Sequence, residues 1–140
     1  MPSSPAYSIY LQDKESGIFE KSWDGQDWFT TGFHFPNGGV PASLAATSWE
    51  NEMGLGIRVL YLAPDNAIKE KNTNDGSHWK DGAFIRVCLP VSKVAALPEL
   101  YSRIYIQRGS AGRGVTEFAQ YSGEWVVGCE ALPPAQPGHM

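Results

Sequence analysis

Apolar and polar residues alternate in short stretches along the chain, as in Ser8-Ile9-Tyr10-Leu11-Gln12, Ile57-Arg58-Val59-Leu60-Tyr61-Leu62 and Ser102-Arg103-Ile104-Tyr105-Ile106-Gln107. A period of two sustained for four to six residues predicts half-buried β-strands. Between such stretches stand turn formers: Asp24-Gly25, Asp65-Asn66, Asp75-Gly76 and Ser122-Gly123. Asp and Asn fold back on their own backbone, and Gly accepts positive φ. Strand, turn, strand is therefore the predicted grammar. A helix is conceivable over Leu44 to Met53 or Ala67 to Lys71, but both stretches are short, and the repeat described next gives each a strand role.

Three segments superpose. Glu20, Glu70 and Glu117 are spaced by 50 and 47 residues, and Trp28, Trp79 and Trp125 by 51 and 46. Apolar stretches at Leu44-Ala45-Ala46-Thr47-Ser48-Trp49 and Val94-Ala95-Ala96-Leu97 precede the second and third segments, so each unit holds about four strands. The predicted units are residues 1–42, 43–92 and 93–132, with a Pro-rich tail over 133–140. Four-stranded units at this period are the blades of a β-propeller. Three blades do not close a ring, and open blade faces and strand edges are a liability. The predicted fold is all-β, three antiparallel blades per chain, completed to a six-bladed ring by a second copy in a homodimer; the alternative is that the chain is a fragment of a longer propeller.

Composition sharpens this picture. Of 140 residues, 15 are Gly, 10 Pro, 5 Trp, 6 Tyr and 6 Phe, the mixture expected of many short strands and tight turns. Lys plus Arg number 11 against 15 Asp plus Glu, a net charge of −4 without a basic block; a phosphate-tracking surface wants the opposite balance, which makes nucleic acid a poor partner. No apolar stretch is long enough to span a bilayer, so no membrane insertion is expected. The first residues carry no secretory signal pattern, which gives a cytoplasmic or non-classically secreted protein as the expectation. Cys88 and Cys129 are read as two reduced, buried thiols. His34, His78 and His139 share no metal-ligand spacing, so neither a metal nor a cofactor is expected. Ser110 lacks the order of a nucleophile elbow, and Gly112-Arg113-Gly114 lacks that of a phosphate loop.

The order Ile-Arg-Val-x-Tyr, a Glu twelve residues after the Arg, and a Trp-Asp-Gly-x-x-Trp segment closing in Gly resembles the fungal and bacterial fucose-specific lectins related to the orange peel mushroom lectin. The likeness runs from about Ile9 to Gly128. It implies a six-bladed propeller, fucose held between adjacent blades, fucosylated glycans as partners and no catalysis.

By that resemblance, Arg58 and Glu70 are the polar ligands of one site, with Ala83 lining it and Trp23 and Trp28 supplying rings from the neighbouring blade. A guanidinium donates to sugar oxygens, a carboxylate accepts from hydroxyls, and an indole covers the deoxy methyl and apolar face. Arg103 and Glu117 form a second set, with Trp79 as its ring and Thr73 where another aromatic is expected; the turn Gly109 to Gly114 lengthens their spacing. Glu20 marks a third, with Ser8 in place of Arg and rings from Tyr121 and Trp125 across the chain boundary. Trp49, outside the repeated motif, is read as core. On this reading Arg58→Ala abolishes sugar binding with little loss of fold. The alternative is a propeller that has lost sugar binding and serves as a small-molecule enzyme or protein-interaction scaffold, motivated by Ser8 and Thr73.

Overall fold

The computed structural model describes residues 7–37, 43–52, 54–88, 93–97, 103–107, 115–121 and 124–132. Among the described residues, eleven strands form three antiparallel meanders, one per repeat. The first sheet contains β1 (Tyr7–Gln12), β2 (Gly17–Trp23) and β3 (Trp28–Pro36). The second contains β4 (Leu44–Asn51), β5 (Gly54–Leu62), β6 (Ala67–Thr73) and β7 (Trp79–Val87). The third contains β8 (Val94–Leu97), β9 (Arg103–Ile106), β10 (Val115–Tyr121) and β11 (Glu124–Leu132). Both stretches where a helix is conceivable, from Leu44 and from Ala67, are strands.

The sheets follow one register. Lys21 pairs with Thr30 in the first sheet and Lys71 with Asp81 in the second, each beside a bulge at the glutamate. In the third, the bulge again falls at Glu117. The first sheet departs from the expectation of four strands: β1 is the counterpart of β5, and no strand corresponding to β4 or β8 lies among the described residues. Ser122-Gly123, the Gly109–Gly114 turn with Ser110, His139 and the 133–140 tail lie outside them. So do the side chains of Tyr121 and Cys129.

The alternation along β5 explains the stacking. Ile57, Val59 and Tyr61 face the first sheet and join Ile18, Phe33 and Ala63 in one apolar cluster. Leu60 and Leu62 face the other way and join Ile68, Phe84, Cys88, Val94, Ile104, Ile106 and Phe118 in another. Strand β5 is thus buried on both faces, and each large aliphatic side chain so enclosed contributes about 1.5–3 kcal/mol. Cys88 is a buried thiol within the second cluster.

Aspartates organise the turns. Asp13 Oδ1 accepts the N–H groups of Glu15 and Gly17, Asp24 Oδ1 those of Gln26 and Asp27, and Asp75 Oδ1 those of Ser77 and His78. Gly25 and Gly76 follow at φ 105° and 84°, where a side chain would be strained.

Candidate functional site

A carboxylate sits at the bulge of each sheet, and those of the first two sheets face the next sheet along the chain. Because β5 alternates, Arg58 lies on the same face as Leu60 and Leu62 and so meets Glu70 at the interface between the second and third sheets. Arg58 Nε donates to Glu70 Oε2 at 2.5 Å, with the two side chains 7% and 2% exposed. Glu70 also accepts Asn72 Nδ2 at 2.9 Å and the Phe84 backbone N–H at 3.2 Å. A carboxylate with three donors has its charge compensated despite burial.

The rings around Arg58 correct the expectation. Its Cζ lies 5.0 Å from the centroid of Trp125 and 5.1 Å from that of Trp49, and Nη2 donates to Gln120 Oε1 at 3.2 Å. Trp23 and Trp28 instead pair with each other, centroids 5.6 Å apart, on the first sheet. The ring over each polar set comes from the following sheet, because the glutamate-bearing face points forward along the chain. Trp49 is likewise not plain core: it is half-buried and stacked against Gly56, its partner across β4 and β5, with its face on the guanidinium. Ala83 is exposed, and the backbone that reaches Glu70 is that of Phe84.

Glu20 occupies the equivalent place between the first and second sheets, 5% exposed. Tyr10 Oη donates to it at 2.6 Å and Thr31 Oγ1 at 2.7 Å, while Ser8, in the register of Arg58, bonds to Ser22 at 2.8 Å. Burial, then Glu20 itself, pushes the Tyr10 phenol far above its ordinary range, so it remains a donor. Its ring is Trp79, whose centroid lies 6.1 Å from Tyr10 and 4.1 Å from Phe33, and not Trp125. The cleft here, about 770 Å³, is lined by Glu20, Thr31, Ile57, Lys71 and Trp79 among others.

In the third sheet, Arg103 Nη1 lies 3.3 Å from Glu117 Oε2, and Tyr105 Oη donates to the same oxygen at 2.9 Å. This set faces away from the second sheet, so Trp79 does not serve it. Thr73 is fully buried and bonded into the Asp75 turn. Sequence reasoning missed Tyr10, Tyr105, Thr31, Asn72 and Gln120. The tyrosines stand two residues after Ser8 and Arg103, on the same face of the strand, a signal the period of two contains.

Successive meanders packed face to face, the first two each presenting a carboxylate cluster beneath the next sheet's indole, define an array of β-propeller blades. The family model described as fungal fucose-specific lectin matches residues 2–135, and the chain belongs to that family. A fucose-specific lectin of Arthroderma benhamiae is 34% identical over 134 residues, which cover 91% of this chain and 37% of the relative. The structure of SapL1 lectin in complex with alpha methyl fucoside superposes with a TM-score of 0.84 at 44% identity, covering 91% of this chain and 44% of that one. A six-bladed propeller structure of Aleuria aurantia lectin gives 0.75 at 26% identity, covering 92% and 45%. The chain therefore spans less than half the length of these relatives.

Proposed function

We propose that this protein is a multivalent lectin that binds α-L-fucosides on glycans without catalysis, in clefts between adjacent sheets. The observation that carries the reading is the buried Arg58–Glu70 pair lying against the Trp125 indole at a sheet interface. Such a pair offers donors and acceptors to vicinal hydroxyls, each charged hydrogen bond contributing about 1.5–3 kcal/mol. The indole supplies the flat apolar area that a deoxy sugar's methyl and ring face need. The fucoside in the complex with SapL1 lectin supports the same ligand class.

The finer reading is a ring of six blades from two chains. The outward face of the first sheet carries Tyr7, Ile9, Leu11 and Trp28, exposed by 59%, 44%, 37% and 49%. They hold the register places of Ile57, Val59, Tyr61 and Trp79, which the second sheet packs against the first. The outward face of the third sheet carries Arg103, Tyr105 and Glu117, in the places of Ser8, Tyr10 and Glu20. The two outward faces thus match the two sides of the internal interfaces, and head-to-tail contact between copies repeats an interface already built twice. Several modest sites on one ring raise avidity for a glycan-bearing surface.

Calorimetric titration with methyl α-L-fucoside tests the reading, with methyl α-L-galactoside, which carries a hydroxyl on the packed methyl, as the control. Saturable binding of the fucoside and weaker binding of the galactoside are expected. Silence toward the fucoside at millimolar concentration overturns the assignment.

A further inference from the structure

Three nitrogens of the Arg58 guanidinium have three different fates. Nε is held by Glu70. Nη2 is held by the Gln120 side-chain carbonyl across the interface, at a long 3.2 Å. Nη1 is buried and has no hydrogen-bond partner among the described residues. An unpaired buried guanidinium nitrogen is costly, and its presence at a sheet interface, beside a second nitrogen held only by a long bond, marks a donor held for something that comes and goes. Two indoles, Trp49 and Trp125, flank the same group at 5.1 and 5.0 Å and hold the side chain in place.

A planar guanidinium takes two neighbouring oxygens through a pair of adjacent nitrogens. With Nε committed to Glu70, that pair is Nη1 and Nη2, and Gln120 occupies half of it. From this we infer that Gln120 is an internal competitor: its carbonyl stands in for a sugar oxygen on Nη2 and must leave before a vicinal pair of hydroxyls is held by both nitrogens. Gln120 is therefore an affinity-setting residue of the Arg58 site, and it rests on the sugar-binding reading above.

The register shows that this is a particular feature of one interface. The places equivalent to Gln120 are Trp23 in the first sheet and Thr73 in the second, as their pairing with Trp28 and Trp79 shows. Neither an indole nor a threonine already bonded into its own turn reaches across as an amide acceptor. Among the described residues, the amide cap on an arginine is seen at the interface of the second and third sheets. It leaves Glu70 and the indoles unaltered, so removing it changes the donor pair and little else.

The test is calorimetric titration of methyl α-L-fucoside into three proteins carrying Arg103→Ala, which takes the other arginine out of account: the parent, Gln120→Ala and Gln120→Glu. Gln120→Ala is expected to tighten binding by roughly 3- to 10-fold, the equivalent of one ordinary net hydrogen bond no longer broken. Gln120→Glu is expected to loosen it, since a carboxylate holds Nη2 more firmly. Circular dichroism and thermal melting establish that each variant is folded. Unchanged or weaker binding by folded Gln120→Ala, with the parent binding normally, overturns the competitor role alone. Absence of binding in the parent and both variants overturns the fucoside reading, and this proposal with it.

Discussion

Gly82 lies directly beneath Glu70, so close that a Cβ there would overlap the carboxyl group. Gly128 stands in the same relation to Glu117. At Gly32, one place along in the first sheet, a Cβ would meet nothing within 4 Å. Gly82→Ala is therefore expected to push Glu70 off Arg58, costing about 1–3 kcal/mol of stability and the sugar affinity of that site. Gly32→Ala is expected to be neutral to within about 0.5 kcal/mol. Urea unfolding and fucoside titration of the two variants check the contrast.

Arg58 and Glu70 are too buried for the simple expectation that Arg58→Ala removes binding and spares the fold. Taking away one partner strands the other charge, which costs about 3–5 kcal/mol. Arg58→Ala should lose both binding and stability. The double replacement Arg58→Met with Glu70→Leu should recover most of the stability and none of the binding. Arg103, whose side chain is 30% exposed in the single chain, makes a pair worth less than about 1 kcal/mol there, and Arg103→Ala should melt closer to the parent than Arg58→Ala does. Denaturation midpoints of the four proteins decide this.

Asp75 is held well below the usual carboxylate range by the backbone N–H of His78, then that of Ser77, then the His78 ring. Asp24 is lowered by the N–H groups of Asp27 and Gln26, and Asp13 chiefly by that of Gly17. A carboxyl depressed in the folded state stabilises it fully above the unfolded value of 3.8 and loses that contribution as pH falls through the lowered folded value. Stability should therefore fall from about pH 4 downward. Asp75→Asn keeps an acceptor without the titration and should flatten that slope. Amide shifts of Ser77 and His78 followed from pH 5 to pH 2 report the turn directly.

The fold was legible because its determinants are local: period-two strands, Asp-Gly turns, and a unit repeated three times. The pairing of Arg58 with Glu70 was legible too, since both occur at fixed places in that unit. What sequence could not supply was the direction in which the sheets stack. A ring that follows the wrong neighbour exchanges Trp125 for Trp23 and Trp28 at Arg58, and Trp79 for Trp125 at Glu20. The direction follows from which face of β5 carries Arg58, and alternation alone allows either. Trp49 was missed for another reason: its contact with Arg58 depends on Gly56 leaving room for the indole. The spacing of the motifs carries no trace of that.

Trp28 and Arg103 lie on opposite outward faces of the three-sheet array, each matching the half the other lacks. Trp28 holds the register place of Trp79 and Trp125, and Arg103 with Glu117 that of Arg58 with Glu70. In the proposed two-chain ring, Trp28 of one copy covers Arg103 and Glu117 of the other. Either Trp28→Ala or Arg103→Ala then removes the same class of site, although the residues belong to different sheets. Coexpression of the two variants should restore part of it. In a mixed dimer one interface carries both changes and the other carries neither, so with random pairing about one quarter of these sites returns. Fucoside stoichiometry of the coexpressed protein, set against each variant alone, reads this out. A value midway between the separate variants would show that Trp28 and Arg103 do not meet across the copies.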